Sequence, residues 1–190
     1  MIASSFEIAL PGWVMDELGA LPSPLDAESR MTFVLRLAER NVEAGTGGPF
    51  GAAVFDLDDH ALLGAGVNCV VASGQSLAHA EMLALALAER RAGAFDLAAS
   101  GRRRVLVTSA EPCAMCLGAA CWSGVVSIEC AAGGADVEAI GFDEGPKPAD
   151  WAAALAARGI AVRKGVLRSR ALAALTAYAE RGGEIYNPSR

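Results

Sequence analysis

Residues 105–131 read VLVTSAEPCAMCLGAACWSGVVSIECA, and this stretch holds the alternation that decides the architecture. Val105-Leu106-Val107-Thr108 is a short continuous apolar run, the pattern of a strand covered on both faces. Pro112 stands where helices like to begin, because its missing N–H costs nothing at the first helical position. The helix it opens should close near Ser123-Gly124, and residues 125–131 supply the next strand.

Working outward, residues 78–93 predict a helix upstream, entered through a loop at residues 73–76. Residues 50–56 and 61–70 predict two strands joined as a hairpin by the turn Asp58-Asp59-His60. A first long helix is predicted over residues 27–44. Its Met31, Val34, Leu35, Ala38 and Val42 recur at helical spacing, Asp26 is placed to cap it and Gly45 to stop it. Gly47-Gly48-Pro49 then breaks the chain. Residues 1–25, with Pro11, Pro22 and Pro24, read as an irregular lead-in. Downstream, residues 135–140 and 151–158 predict short helices, 160–166 a last strand and 168–181 a final helix. Residues 182–190 carry no pattern of their own. Helices alternating with short buried strands predict an α/β protein, a three-layer α/β/α sandwich, its sheet mixed because the first pair is a hairpin.

A length of 190 residues suits a single domain, 1–190, with no disulfide staple required. The net charge of −6 argues against a nucleic-acid partner, which would need a concentrated basic surface. The basic clusters Arg102-Arg103-Arg104 and Arg163-Lys164 each flank a predicted strand and read as solvated strand ends. A small neutral substrate suits this balance. The start Met1-Ile2-Ala3-Ser4-Ser5-Phe6-Glu7 has neither a basic run nor a long apolar one. The apolar run 80–88 is far shorter than the roughly 20 residues that span a bilayer, so no membrane partner is expected. Cys69, Cys113, Cys116, Cys121 and Cys130 are odd in number, as expected of reduced thiols in a cytoplasmic protein.

The chemistry gathers in two segments, His79-Ala80-Glu81 and Pro112-Cys113-Ala114-Met115-Cys116, each at the start of a predicted helix. Cys113 and Cys116 are three apart and share one helix face. One imidazole and two thiolates suit tetrahedral zinc, Zn2+, and three protein ligands leave a fourth position for water, the mark of a catalytic site. Helix N-termini favour thiolates, because their unpaired N–H groups carry partial positive charge. Two thiolates nearly cancel the charge of the metal, so a neighbouring base is needed. Glu81 can reach the water without ligating and is the candidate proton shuttle. Other readings stay open here. A Cys-x-x-Cys pair alone also serves redox chemistry, though that leaves His79 and Glu81 without work. A structural zinc would draw a fourth ligand from Cys69, Cys121 or His60.

His-x-Glu followed by Pro-Cys-x-x-Cys resembles the signature of the cytidine/nucleobase deaminase superfamily, over most of residues 30–145. Within it, the chain is most similar to bacterial guanine deaminases of the small, cytidine-deaminase-like type. That likeness rests on Gly47-Gly48-Pro49-Phe50, Asn68, Thr108-Ser109-Ala110-Glu111-Pro112-Cys113, Trp122 and Gly141-Phe142-Asp143-Glu144. The resemblance implies a five-stranded sheet between helix layers, a homodimer, and hydrolysis of a C–N bond that converts guanine to xanthine and ammonia. It implies stacking of the base on Phe50, hydrogen bonds to the ring edge from Asn68, and a pocket wall at Trp122. Glu144 would be a second acid that binds the base and helps move protons. Ala80 and Asp143, inside the matched segments, join the candidate substrate contacts. In relatives the partner's C-terminal segment closes the pocket, which makes Tyr186, in the tail 183–190, the candidate lid on a partner subunit. Each residue also has a plainer reading: Phe50 as core, Asn68 as a strand-ending turn residue, Trp122 as helix-to-sheet packing, Glu144 as a solvated loop acid. Cytosine, a nucleoside or ammeline are alternative substrates. A tRNA adenosine deaminase and a zinc-stabilised binding module are the more distant alternatives.

Overall fold

The structure, a computed structural model, describes residues 3–19, 21 and 26–188. Pro22, Pro24 and the last two residues of the tail lie outside the described residues. The elements run α1 (Trp13–Leu18), α2 (Ala27–Glu43), β1 (Gly51–Asp56), β2 (Leu62–Val67), α3 (Val70–Ser73), α4 (Ala80–Ala92), β3 (Arg104–Ala110), α5 (Ala114–Trp122), β4 (Ser127–Ala132), α6 (Gly134–Glu138), α7 (Trp151–Ala156), β5 (Ala161–Arg163) and α8 (Arg168–Glu180).

The sheet order is β2-β1-β3-β4-β5. β1 pairs antiparallel with β2 and β3, whereas β3, β4 and β5 run parallel. The mixed five-stranded sheet is therefore as expected. Strand periodicity sorts its side chains into two cores. Ala53 and Phe55 of β1 and Val105 and Val107 of β3 join Met31, Val34 and Leu35 of α2 and Leu175 of α8. Ala52, Val54, Leu106 and Ile128 point the other way, against Ala84 and Ala88 of α4, Ala120 of α5 and Leu155 of α7. Asp26 caps α2 as predicted, its carboxylate accepting from the Ser29 N–H at 2.7 Å.

Four local expectations are corrected. The lead-in is not wholly irregular: α1 forms at Trp13–Leu18, with Val14 fully buried. Six residues cannot hold a helix alone, and docking on α2 supplies the rest. Trp13 Nε1 donates to Thr46 Oγ1 at 3.2 Å, and Glu17 pairs with Arg36 and Arg40. The second hairpin strand ends at Val67, and the chain turns directly into α3. Pro112 lies two positions before the first helical residue, Ala114, because Cys113 is the N-cap. The last strand shrinks to Ala161–Arg163, although the Val166 N–H still donates to Cys130 O at 3.1 Å.

The arginine cluster behaves as a strand end. Arg102 pairs with Asp56 at 2.7 Å and Arg103 with Asp58 at 2.7 Å, tying β3 to the turn after β1. All five cysteines are free. Among the described residues, no helix is long and apolar enough to cross a membrane.

Candidate active site

α4 and α5 each begin on a residue with extended backbone, His79 at φ −72°, ψ 151° and Cys113 at φ −65°, ψ 173°. Neither side chain caps its own helix, so both are available elsewhere, and they meet. His79 Nδ1 stands 3.5 Å from Cys113 Sγ and 3.6 Å from Cys116 Sγ. All three donor atoms fall within 4.8 Å of one another. Ligands on tetrahedral zinc, at about 2.05 Å for nitrogen and about 2.3 Å for sulfur, stand about 3.6 Å apart. The residues fit the ion in donor type and in spacing.

Their protonation points the same way. A hydrogen bond from Cys116 and the neighbouring His79 bring the Cys113 thiol down to about 4, against the effect of its burial. Cys116 is pushed upward by its bond to Cys113 and by burial. The pair thus shares a proton that a bound dication would displace. Glu81, on the first turn of α4 and 7% exposed, is raised to about 7 by burial and by the Cys113 charge beside it.

These groups open on a cavity of 380 Å³, within the range of small-molecule pockets. Phe50, Asn68, Asp143, Glu144 and Tyr186 line it together with His79, Glu81 and Cys113. Phe142 packs edge-on to Phe50, centroids 5.2 Å apart, and 4.8 Å from Tyr186. Asn68 is 1% exposed. Its Oδ1 accepts from the Val70 N–H at 3.3 Å, which fixes the amide orientation, while its buried Nδ2 has no hydrogen-bond partner among the described residues. A buried donor left that way costs about 1–3 kcal/mol unless something completes it. Glu144 is buried too, its carboxyl raised by that burial in spite of Lys147, whose Nζ lies 2.7 Å from Oε2.

The structure redirects two expected contacts. Ala80 is fully buried in the core under α4 and does not line the cavity. Trp122 is 80% exposed at the end of α5 and does not wall this chain's pocket. It follows Cys116 by six residues, about 240° round the helix, and so looks away from the metal ligands. Tyr186, as expected of a pocket residue, lines the cavity. Asn187 secures that tail, its Nδ2 donating to Gly141 O at 2.8 Å and its Oδ1 accepting from the Asp143 N–H at 2.9 Å.

Three supporting residues escaped the sequence reading. Phe142 carried no role, although it lay inside a quoted segment. Asn41 is fully buried, its Nδ2 donating to Gly48 O at 2.8 Å and Asn68 O at 2.9 Å. The signal for it was a polar residue inside the apolar stripe of α2. That clamp draws the loop so close that a Cβ on Gly47 would sit 1.9 Å from Asn68 O. Lys147 is the third.

A nitrogen-and-two-sulfur donor set, a buried carboxyl beside it and a cavity lined by aromatic side chains, mounted on an α/β/α frame, define a zinc-dependent hydrolytic enzyme. Comparison makes the class specific. Residues 25–132 match the cytidine and deoxycytidylate deaminase zinc-binding region, and the chain belongs to that family. The guanine deaminase of Bacillus subtilis (strain 168) is 38% identical over 120 residues, covering 63% of this chain and 73% of that protein. A structure of guanine deaminase from Nitrosomonas europaea superposes with a TM-score of 0.88 at 47% identity, covering 95% of this chain and 99% of the other. NE0047 in complex with 2,6-diaminopurine gives a TM-score of 0.88 at 49% identity, covering 95% of this chain and 96% of the other.

Proposed function

We infer that this chain hydrolyses guanine to xanthine and ammonia, with zinc held by His79, Cys113 and Cys116. The observation that carries the reading is the buried Asn68 Nδ2, a donor on the wall of the metal pocket without a partner among the described residues. It calls for a ring with an acceptor on the edge away from its amino-bearing carbon, which the carbonyl edge of guanine provides. Aromatic side chains at Phe50 and Tyr186 suit a planar ligand. The guanine deaminases among the similar proteins support the same choice.

Zinc, when bound, supplies Lewis-acid activation of the attacking water at neutral pH. Glu81 takes a proton from that water as the C–O bond forms and passes it to the adjacent ring nitrogen that bears no hydrogen. The new hydroxyl proton then moves to the amino group through Glu81. Ammonia leaves, the carbonyl of xanthine remains, and atoms balance as guanine plus water giving xanthine plus ammonia. Burial raises the Glu81 carboxyl, and a carboxyl so raised takes up and returns a proton at less cost near neutral pH. Glu144 faces the ring from the opposite loop, Asp143 contributes to the rim, and Tyr186 covers the pocket.

The two cores share one sheet, which supports residues 1–190 as a single catalytic domain. Met115 and Trp122, 38% and 80% exposed on an α5 that carries no charge, support a homodimer. Five free cysteines suit a cytoplasmic location. The test is ammonia release by zinc-loaded protein from guanine, ammeline, cytosine, adenine and nucleosides. Guanine should be the fastest substrate. A faster ring among the others would replace guanine, and silence on all of them would leave a zinc-stabilised binding module.

A further inference from the structure

We propose that Lys147 is a positioning residue for this deamination, holding Glu144 at the pocket wall and tethering it to the segment that presents Cys113. The inference rests on reading the site as a guanine deaminase. Lys147 Nζ lies 2.7 Å from Glu144 Oε2 and 3.2 Å from Pro112 O, the carbonyl just before Cys113. A second tie runs through the main chain, where the Ala114 N–H donates to Glu144 O at 2.9 Å. The loop carrying Glu144 is thus fastened to the head of α5 at both backbone and side chain.

The surroundings fit a held ammonium. The two side chains are 13% and 9% exposed, so their attraction is poorly screened by solvent. The space above the ammonium is kept by Gly134, where a Cβ would stand 3.2 Å from Nζ and 3.9 Å from Glu144 Oε2. The nearby Glu111 has cations of its own: Lys164 Nζ lies 3.3 Å from its Oε1, and Trp151 Nε1 donates to its Oε2 at 3.0 Å. Among the described residues, Glu144 is the carboxylate with which Lys147 forms an ion pair. Pro146 and Pro148 flank the lysine and restrict its backbone, so the ammonium is delivered from a stiff segment. One carboxylate oxygen is engaged by Lys147, and the group has a second with which to face the ring.

The test measures kcat and KM for guanine, zinc content and thermal midpoint in wild type, Lys147→Met, Lys147→Arg, Glu144→Gln and the Lys147→Met/Glu144→Gln double variant. Lys147→Met should lower kcat about tenfold to a hundredfold with zinc retained, since small misplacements of a reacting group cost that much. KM should move less, and Lys147→Arg, which can still pair with a carboxylate, should recover most of the loss. In the Glu144→Gln background the methionine change should cost nothing further, because the lysine acts through that carboxylate. An unchanged kcat in Lys147→Met, losses that multiply in the double variant, or loss of zinc with the lysine would each overturn the proposal. Wild type inert on guanine overturns the guanine reading alone, and the same variants are then compared on whichever ring it deaminates. Wild type inert on every ring overturns both.

Discussion

Glu81 and Asn68 carry different parts of the reaction, and substitution should separate them. Glu81→Gln keeps the shape and removes the proton carrier. It should cut kcat by about 10²–10⁴ while zinc stays bound, measured by ammonia release beside metal analysis; near-normal turnover would remove Glu81 from the chemistry. Asn68→Ala removes the donor whose Nδ2 has no partner among the described residues. One hydrogen bond of about 1 kcal/mol sets a roughly fivefold rise in KM, with kcat less affected. An unmoved KM would mean that the ring does not meet this amide. His79, Glu81, Cys113 and Cys116 were legible in the sequence because ligand spacing is local: three residues on a helix face, two residues across a helix start. Trp122 was misplaced because the direction of a side chain depends on helix phase relative to a pocket that only the folded chain defines. Lys147 and Asn41 were missed for the same reason. Lys147 stands three residues from Glu144, but its tie to Pro112 spans 35 residues and that of Asn41 to Asn68 spans 27, and no local pattern announces such ties.

At the level of elements, the sheet is tied to its surroundings by ions whose behaviour can be titrated or cut. Asp56 ends β1 with its side chain 3% exposed. Burial alone would raise its carboxyl, but Arg102 and the N–H groups of Asp58 and Asp59 outweigh that, and it lies below the usual carboxylate range. A carboxyl lowered by folding stabilises the protein above its unfolded pKa of about 3.9, and that contribution is lost as pH falls through the folded value. Asp56→Asn should accordingly lower stability at neutral pH and flatten the fall below about pH 4. Urea midpoints at pH 7 and pH 3.5 check this, and equal losses at both would refute it. On the other face, Arg30 of α2 meets Glu129 of β4 at 2.7 Å, the side chains 8% and 10% exposed. Removing one partner strands a buried charge, so Arg30→Met should cost about 3 kcal/mol, and Arg30→Met/Glu129→Leu should regain most of it. Additive losses in urea unfolding would deny the coupling. The elements themselves were legible wherever a stripe or an apolar run was long enough, as in α2, α4 and β3. Six-residue α1 was not, because its helical state is set by docking on α2 and not by its own period.

At the scale of the whole molecule, the C-terminal tail supplies a wall of the pocket through Tyr186, Asn187 and Pro188. The tail runs from α8 back across the head of its own site. Tyr178 donates to Glu184 O at 2.7 Å, Asn187 is bonded to Gly141 and Asp143, and Tyr186 sits 6.3 Å from the His79 ring, centroid to centroid. Each of these contacts lies within one chain, and they favour a tail that serves its own site. Deleting residues 183–190 should therefore expose the site to solvent, raising KM and lowering kcat, since water exclusion strengthens the electrostatics that move protons. The decisive version mixes two crippled chains: one truncated but with Glu81 intact, the other Glu81→Gln with its tail intact. If the tail serves its own chain, neither species can complete the other, and the mixture shows only the sum of the two separate rates. If tails cross between subunits, mixed dimers contain a site with a working Glu81 under a borrowed tail, and activity rises on mixing. Absence of that rise, with mixed dimers confirmed by mass, is the outcome the contacts at Asn187 predict.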